Sequence, residues 1–446
     1  MTILEIYTVQ AGDTALSIAN RFGISLQRLI SDNGLSVSGR LAVGQALLIL
    51  RPETVYTFVR GDSLFSVAEA YGTSVMQLYR NNPFLIGADY IPEGTQITIS
   101  FDDKPAEDIR VSGFVYSYID RRVLEAALPY MTYVIVFGYG FREDGSLIEV
   151  SDSDIIDMSH LYGTAVFLSL TTINEDGSFG SGKVERLLTD LDFQNLVIEE
   201  MTEIIIRKNA QGMDIDMEYI PPRLRAEFAA FVENSARQLN AVGLEVHVDL
   251  APKTSADQPG TLYEAHDYRL LGNAADLVFL MTYEWGYTYG PPMAVAPLPS
   301  VRQVLEYALT EIPADKIFLG IPNYGYNWRL PYERGVTAAV TLGNLTAVNL
   351  AVGNGAEILF DELSQSPYFY YTDSEGAERV VWFEDVRSLR GKFSLVSEKE
   401  ILGCGYWNLM RPFPQNFLLL NSMFNIVKVY KADMRNYNGE SNLVQQ

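Results

Sequence analysis

GMDIDMEY, residues 212–219, places three carboxylates at alternate positions of an otherwise apolar run. Successive side chains of a β-strand point to opposite faces, so Asp214, Asp216 and Glu218 would share one face, each roughly 6.6 Å from the next. Like charges in a row repel, and such a row can keep one carboxyl protonated while another is ionised at the same pH, which suits acid catalysis. A solvated strand of an antiparallel sheet would show the same alternation, so the stretch alone leaves both interpretations open.

Further runs rich in β-branched and aromatic residues accompany this stretch. Helical candidates separate several of them, such as residues 221–243, where Pro221 and Pro222 suit a first turn and Gly243 suits the end. Strands alternating with helices in this way predict fold class α/β, a (β/α)8 TIM barrel whose parallel strands are buried on both faces. The eight runs are 111–118, 133–141, 165–172, 212–218, 245–251, 276–284, 316–325 and 403–409.

Burial on both faces changes the interpretation of the carboxylate row. A carboxylate inside a barrel is costly unless it has a partner or a task, so the solvated interpretation no longer fits. Glu218 falls where its strand ends, at the rim that carries the active sites of such barrels. The sequence therefore favours a catalytic role for the row.

The carboxylate row and its barrel resemble the family 18 glycoside hydrolases, the chitinases and endo-N-acetylglucosaminidases. The fourth-strand signature of that family, D-G-x-D-x-D-x-E, is matched at residues 211–218 except at its first position, where Gln211 replaces Asp. We expect this replacement to affect proton sharing along the row more than activity itself. The resemblance covers residues 108 to about 430, the expected extent of the catalytic barrel.

Two further segments carry the same resemblance. Met281, Thr282, Tyr283 and Glu284 are similar to the sixth-strand M-x-Y-D of the family, with Glu in place of Asp. GYWNL looks like the eighth-strand segment whose tryptophan floors the sugar site, which here would be Trp407.

The resemblance implies a retaining, substrate-assisted mechanism in which the 2-acetamido carbonyl of the sugar attacks its own anomeric carbon. Glu218 would be the acid and then the base. Asp216 would orient the acetamido N–H, Asp214 would help to set the protonation of Asp216, and Tyr283 would donate to the acetamido carbonyl oxygen. The expected substrates are therefore glycans that contain N-acetylglucosamine.

Side chains near the predicted strand ends complete the expected substrate site. The resemblance favours Tyr324 and Trp407 as rings that contact sugar, with Tyr116, Met281 and Glu284 beside them. We expect these five residues to bind substrate.

A long segment before the last strand implies an insertion. The 77 residues between Gly325 and Gly403 exceed a crossover helix, and the family resemblance implies a small α+β insertion at about 326–381 that walls one side of the groove. Trp285 and Trp328, at or near predicted strand ends, fit either a sugar platform or ordinary core.

The first hundred residues contain an internal repeat. YTV at 7–9, GD at 12–13 and Asn33 recur 49 residues later as YTF, GD and Asn82. Each copy predicts a βααβ unit that closely resembles the LysM domain, at residues 5–50 and 54–100. LysM modules bind N-acetylglucosamine-containing chains such as peptidoglycan and chitin, and a purely structural role is the alternative. Residues 102–108 are expected to link the modules to the barrel.

Composition narrows the range of partners. The chain has 33 basic and 56 acidic residues, a net charge of −23, which argues against nucleic acid as a partner. Cys404 is the only cysteine, so no internal disulfide is possible. The three histidines lack ligand spacing, and we expect neither a metal nor a cofactor. No apolar run is long enough to predict a membrane span or a membrane partner.

The N-terminal sequence and the domain order suggest a setting. No basic n-region or apolar h-region precedes the first repeat, so we expect synthesis in the cytoplasm and deposition in the spore coat or at the cortex. Two LysM modules before a family 18 barrel are similar to the spore cortex-fragment-lytic N-acetylglucosaminidases. This similarity implies hydrolysis of β-1,4 bonds after N-acetylglucosamine during germination.

Two other functions remain open at this point. One is a chitinase or endo-N-acetylglucosaminidase that acts on another glycan, which the sequence does not distinguish. The other is a non-catalytic glycan-binding coat protein on a degenerate barrel. The presence of Glu218 together with Asp214, Asp216 and Tyr283 argues against this last function.

Overall fold

Eight parallel strands close into a barrel in a computed structural model that describes residues 5–36, 38–88, 90–102, 105, 107–172 and 181–431. Each strand pairs with the next along the chain, and the eighth pairs with the first. The predicted (β/α)8 barrel is therefore confirmed. In chain order the strands are Asp108–Tyr116, Tyr133–Phe141, Ala165–Thr171, Gly212–Asp216, Glu245–Leu250, Leu277–Leu280, Ile317–Pro322 and Gly403–Trp407.

Seven of the eight barrel strands end earlier than the sequence predicts, and the early ends of the fourth and sixth strands shape the rim. The fourth strand stops at Asp216 rather than at 218, and the sixth stops at Leu280 rather than at 284. Just beyond them, Tyr219 and Glu284 have φ angles of 55° and 67°, in the left-handed region that non-glycine residues seldom adopt. The chain therefore leaves both strands through tight turns, and such backbone strain is often found at functional sites.

Helices follow every barrel strand and cover its outer face. After the fourth strand, a 3-10 turn at Pro222–Leu224 leads into helix Arg225–Asn240, which ends before Gly243. The barrel helices are Arg121–Ala127, Ser153–Leu161, Ser181–Thr189, Leu191–Arg207, Arg225–Asn240, Tyr268–Ala274, Leu298–Glu311, Val386–Glu398 and Pro414–Met423. Further 3-10 turns lie at Leu128–Tyr130 and Ala314–Lys316, and short strands Leu147–Ile148 and Asn425–Ile426 extend the sheet edges.

An α+β unit lies between the seventh strand and helix Val386–Glu398, where the insertion is predicted. Its antiparallel sheet packs against helix Asn344–Asn354, with Ala347 and Phe369 in one apolar cluster. In sheet order the strands are Val340–Leu342, Gly325–Arg329, Glu378–Trp382, Ser366–Thr372 and Leu359–Asp361.

The two N-terminal repeats each form a βααβ unit, as predicted. In both copies the tyrosine of the first strand donates to the aspartate of the GD turn, Tyr7 to Asp13 at 2.6 Å and Tyr56 to Asp62 at 2.7 Å. The first copy consists of Glu5–Thr8, Ala15–Phe22, Leu26–Asp32 and Ala46–Ile49. The second consists of Pro52–Thr57, Leu64–Ala70, Val75–Asn81, the 3-10 turn Pro83–Leu85, and Gln96–Phe101.

Both copies pack directly on the barrel. Arg80 of the second copy is buried, and its guanidinium donates to the carbonyls of Pro129 at 2.7 Å and Ile426 at 2.9 Å. Gln415 of the last barrel helix donates to Asn33 of the first copy at 2.6 Å. Residues 102–108 were predicted to be a linker, and 103, 104 and 106 of this segment lie outside the described residues. The segment does not separate the LysM copies from the barrel, because both copies contact it directly. A linker's composition carries no information on the faces that it brings together.

The loop before the closing strand differs between the two copies. In the first copy, Ala42 belongs to the apolar cluster of the α+β unit, and the Val43 carbonyl accepts from the Ile358 N–H at 2.9 Å. A Cβ atom on Gly44 would lie 1.8 Å from the Ile358 carbonyl oxygen. The equivalent Gly94 of the second copy has nothing within 4 Å of such an atom. The first copy therefore braces the α+β unit, whereas the corresponding loop of the second copy is open.

Gly44→Ala and Gly94→Ala form a matched pair that tests this brace. Both glycines have positive φ, 80° and 86°, so the two substitutions share the same backbone strain. Only the first adds a clash with the α+β unit, which costs about 1–3 kcal/mol. We expect Gly44→Ala to lower the Tm by about 1–3 °C more than Gly94→Ala in calorimetry, because the unfolding entropy of a chain of this length is large. Equal shifts would contradict the brace.

Candidate active site

A cavity of about 560 Å³ opens at the carboxyl ends of the barrel strands. This end of a (β/α)8 barrel is where active sites lie. Most of the residues that the sequence selects meet here. The lining includes Asp216, Glu218, Met281, Tyr283, Glu284 and Trp407.

The carboxylate row runs from the barrel interior to this cavity. Asp214 is completely buried, Asp216 is half-buried, and the Glu218 side chain faces the open cavity. Alternation along the strand puts the carboxyls of Asp214 and Asp216 on the same, inward face. The structure therefore brings the row together as predicted, with Glu218 as the member that a ligand meets first.

Burial raises the pKa of every carboxyl in the row. Desolvation raises the pKa of Asp214 to about 6. It raises the pKa of Asp216 well above the ordinary range, and the negative charges of Glu218 and Asp214 add to that effect. Desolvation, followed by the charge of Glu284, also raises the pKa of Glu218, although its carboxyl opens to the cavity. A carboxyl that holds its proton more tightly than usual at the mouth of a cavity can act as a general acid.

Gln211 does not belong to the row. Its side-chain carbonyl accepts from the Val166 N–H at 2.7 Å and lies 3.2 Å from His160 Nε2, while its amide donates to the Asn209 carbonyl at 2.6 Å. Position 211 has the opposite alternation to positions 214 and 216, so its side chain fixes the start of the strand. The expectation that Gln211 alters proton sharing along the row is therefore wrong.

Glu284 is held by two tyrosines. The hydroxyl of Tyr324 donates to Glu284 Oε1, and the hydroxyl of Tyr326 approaches the two carboxylate oxygens at 2.9 and 3.2 Å. Burial raises the pKa of Glu284, and these two hydrogen bonds act in the opposite direction. Tyr324 is itself buried behind Glu284 and does not line the cavity. Its contact with substrate stays a prediction, and in the structure Tyr324 supports a residue that does line the cavity.

Tyr283 and Met281 enter the cavity from the end of the sixth strand. Both side chains are nearly buried. Burial, and then the negative charges of Asp249 and Asp216, raise the pKa of Tyr283 well above its usual range. The Tyr283 hydroxyl therefore keeps its proton and can donate a hydrogen bond to a ligand.

Trp407 forms part of the cavity wall, and neighbouring rings fix its position. Phe114, Phe137 and Tyr116 meet its ring at steep angles, with centroid distances of 5.4, 5.2 and 6.0 Å. Tyr116 lies beyond Trp407 and stacks on Tyr118 at 5.3 Å instead of lining the cavity. The structure thus places Tyr116 in a supporting position.

The remaining tryptophans lie outside the cavity lining. Trp328 is fully buried and donates from Nε1 to the Gly290 carbonyl at 2.9 Å, so it is core. Trp285 is half-buried against the same hydrophobic core.

Six lining residues were missed from the sequence, namely Pro252, Leu262 and four residues with polar groups. Tyr219, Tyr263 and Tyr287 line the cavity, but loop tyrosines give no periodic signal. Asp249 also lines it, and burial raises its pKa well above the ordinary range. Its signal was present, because Asp249 is an acid near the end of EVHVDLA, a run with the character of a buried strand.

The described residues hold no cluster of three or more metal-ligating side chains. In the same ranges, no helix has the length and apolar character needed to cross a membrane.

Comparisons with known proteins fit this geometry. Residues 129–411 match the family model Glycosyl hydrolases family 18, and residues 7–49 and 56–100 match the LysM domain. The chain is 36% identical to the cortical fragment-lytic enzyme of Bacillus anthracis over 96% of this chain and 100% of that protein. It is 40% identical to the Bacillus subtilis (strain 168) enzyme of the same name over 69% of this chain and 71% of the relative.

A solved structure extends the similarity to the whole architecture. The crystal structure of the Bacillus cereus spore cortex-lytic enzyme SleL superposes with a TM-score of 0.81 at 32% sequence identity. The match covers 95% of this chain and 99% of that one, so it includes both LysM copies as well as the barrel.

Asp214→Asn tests the cost of burying the row. The pKa of Asp214 is raised from an ordinary 3.8 to about 6, so its contribution to stability is present below pH 4 and is lost as the pH rises through 6. Asn stays neutral throughout. We therefore expect the variant to be more stable than the parent by about 3 kcal/mol at pH 7.5 and equally stable at pH 4, in chemical denaturation.

Asp157→Asn, on the exposed face of helix Ser153–Leu161, is the control for charge removal. It should leave stability unchanged at both pH values. A destabilised Asp214→Asn at pH 7.5 would show that the ionised carboxyl is better satisfied than its burial indicates.

Proposed function

The chain belongs to the glycosyl hydrolases of family 18 and carries two LysM domains, and from this premise we propose that it hydrolyses β-1,4 bonds after N-acetylglucosamine in spore cortex peptidoglycan. The observation that carries the proposal is Glu218, a carboxyl with a raised pKa that lines one cavity together with Asp216 and Tyr283. The cortical fragment-lytic relatives and the whole-length likeness to SleL support the substrate.

In the proposed reaction, Glu218 donates its proton to the glycosidic oxygen, and the bond to the anomeric carbon breaks. The acetamido carbonyl oxygen of the same sugar attacks the anomeric carbon and forms an oxazolinium ion. Glu218, now ionised, takes a proton from water, whose oxygen opens the oxazolinium ring. The anomeric configuration is retained, and Glu218 ends the cycle protonated.

Asp216 and Tyr283 orient the acetamido group. Asp216 accepts from the acetamido N–H, and its position below Glu218 brings it close to the developing cation. Tyr283 donates to the acetamido carbonyl, a task that its raised pKa suits. Substrates without an N-acetyl group lack the internal nucleophile and should not be cleaved.

Other lining residues are proposed to bind the sugar. Trp407 offers an aromatic surface to one sugar face, and Met281 and Glu284 border the same subsite. Tyr116 and Tyr324 act through Trp407 and Glu284, which they contact.

The LysM domains are proposed to bind the glycan, and the second copy is proposed to contribute more to this binding than the first. The covered loop of the first copy leaves its groove partly occupied by the α+β unit. In the second copy, Val59 lies in the loop after the first strand and Tyr90 in the loop before the closing strand, and these two loops are proposed to form the groove. The two side chains are 53% and 75% exposed, which leaves apolar surface free for a sugar chain. The spore names of the relatives support action in the coat or at the cortex.

Glu218→Gln tests the catalytic assignment on muropeptides from spore cortex, with vegetative peptidoglycan and chitin oligomers in parallel. Loss of a general acid should lower kcat by about 10²- to 10⁴-fold while the Tm stays near that of the parent. Mass spectrometry of the parent reaction should show reducing N-acetylglucosamine ends, released preferentially from cortex fragments.

Glu233→Gln, on the exposed side of helix Arg225–Asn240, should retain full turnover. Full turnover by Glu218→Gln would remove the acid assignment. Cleavage of chitin oligomers alone would replace cortex peptidoglycan with chitin as the substrate. Binding without any product would support the glycan-binding coat protein instead.

Val59→Asp and Gln10→Asp compare the two LysM grooves at equivalent loop positions, each in a Glu218→Gln background that prevents turnover. We expect the first to weaken co-sedimentation with peptidoglycan sacculi about five- to tenfold, because it replaces exposed apolar surface with a charge. The second should change binding less than about twofold. Equal losses would show that both grooves bind the glycan.

A further inference from the structure

We propose that Asp249 is a positioning residue that holds a proton against Asp214 and so keeps Asp214 ionised behind the catalytic row. The inference rests on the proposed function and adds a fourth carboxyl to it. Asp249 stands on the fifth barrel strand, which pairs with the fourth so that Val248 lies beside Ile215. One residue further on, Asp249 therefore lies next to Asp216 at the cavity floor.

The buried oxygens around this point lack partners. Within the described part of the chain, neither carboxyl oxygen of Asp214 nor Oδ1 of Asp249 has a hydrogen-bond partner in ordinary geometry, and Oδ1 of Asp216 has none either. Buried polar atoms are nearly always hydrogen-bonded. Ionised carboxylates only accept hydrogen bonds, so a proton on one of them is the simplest way to satisfy its neighbour.

The charges around Asp249 favour that residue as the proton carrier. Asp214, Asp216 and Glu218 face it from the fourth strand and its exit, Tyr283 faces it from the end of the sixth strand, and His247 precedes it on its own strand. Desolvation and then the three negative charges raise the pKa of Asp249 well above the ordinary range.

The surroundings of Asp214 act in the opposite direction. The Ser169 hydroxyl, the imidazole of His247 and the Asp249 carboxyl all lower the pKa of Asp214, which opposes the effect of its burial. The proton therefore belongs on Asp249, whose O–H donates to the Asp214 carboxylate. Since Gln211 is committed to the start of the strand, Asp249 is the acid that faces the buried end of the row.

This arrangement has a kinetic consequence. An ionised Asp214 supplies the negative charge behind Asp216, opposite the cation that develops on the sugar. Protonation of Asp214 removes that charge, so the acidic limb of kcat/KM reports its pKa. A change at Asp249 should therefore move the acidic limb, which a purely structural substitution would not do.

The test compares Asp249→Leu with Asp249→Asn on cortex muropeptides. Leu has a similar shape but no donor, so Asp214 loses a hydrogen bond that favours its ionised form, and the acidic limb should move up by about one pH unit. Asn keeps an N–H donor, so its acidic limb should stay within about 0.3 of a pH unit of the parent. An unmoved limb in Asp249→Leu, or equal movement in both variants, would overturn the proposal.

Infrared spectroscopy of the free protein provides a readout that needs no substrate. At pH 7 the parent should show a protonated-carboxyl band that is weaker in Asp249→Asn by the contribution of one carboxyl. Retention of the full band in Asp249→Asn would overturn the proposal even if Asp249→Leu fails to fold. A parent without glycosidase activity but with this band difference would contradict the proposed function and leave the proton on Asp249 supported.

Discussion

Desolvation of the carboxyls on the fourth barrel strand is the constraint on which the rest of the structure depends. A parallel barrel strand is buried on both faces, and Asp214, Asp216 and Glu218 enter that environment as acids with raised pKa values. The fold tolerates them because the row ends at an open cavity, and the proton proposed on Asp249 would satisfy its buried end. The same burial that lowers stability at neutral pH raises the pKa of Glu218, which favours its role as a general acid.

Support of the cavity wall follows one pattern on both sides. The groups that face the cavity, Trp407 and Glu284, are each fixed by tyrosines from behind, with Tyr116 against the ring and Tyr324 and Tyr326 on the carboxylate. Tyr326 lies in the first strand of the α+β unit, and the first LysM copy braces that unit from outside. The LysM copies and the candidate active site are thus mechanically connected, because the N-terminal modules share packed surfaces with the barrel and its α+β unit.

The sequence allowed prediction of features with a local signal. Alternating acids revealed the row, β-branched runs revealed the barrel strands, and a spacing of 49 residues revealed the two LysM copies. Features that depend on neighbouring strands were harder to predict from the sequence. Asp249 becomes significant only when strand pairing places it beside Asp216, and the supporting roles of Tyr116 and Tyr324 depend on depth behind the rim. The role of Gln211 was misjudged because only the motif spacing was considered. Position 211 alternates with positions 214 and 216 along the strand, so its side chain points away from the row. The packing of the LysM copies on the barrel produces no periodic pattern in the sequence, so it could not be predicted.

A direct titration of Glu218 tests the central claim, that burial of the row raises the pKa of the acid. Carbon-13 NMR of the protein labelled at glutamate carboxyls, with the Glu218 signal assigned by its loss in Glu218→Gln, would give the midpoint in the free protein. Desolvation and the charge of Glu284 predict a midpoint above the ordinary 4.5. A midpoint at or below 4.5 would mean that burial and the charge of Glu284 do not raise the pKa of Glu218, and the account of the buried row would be contradicted.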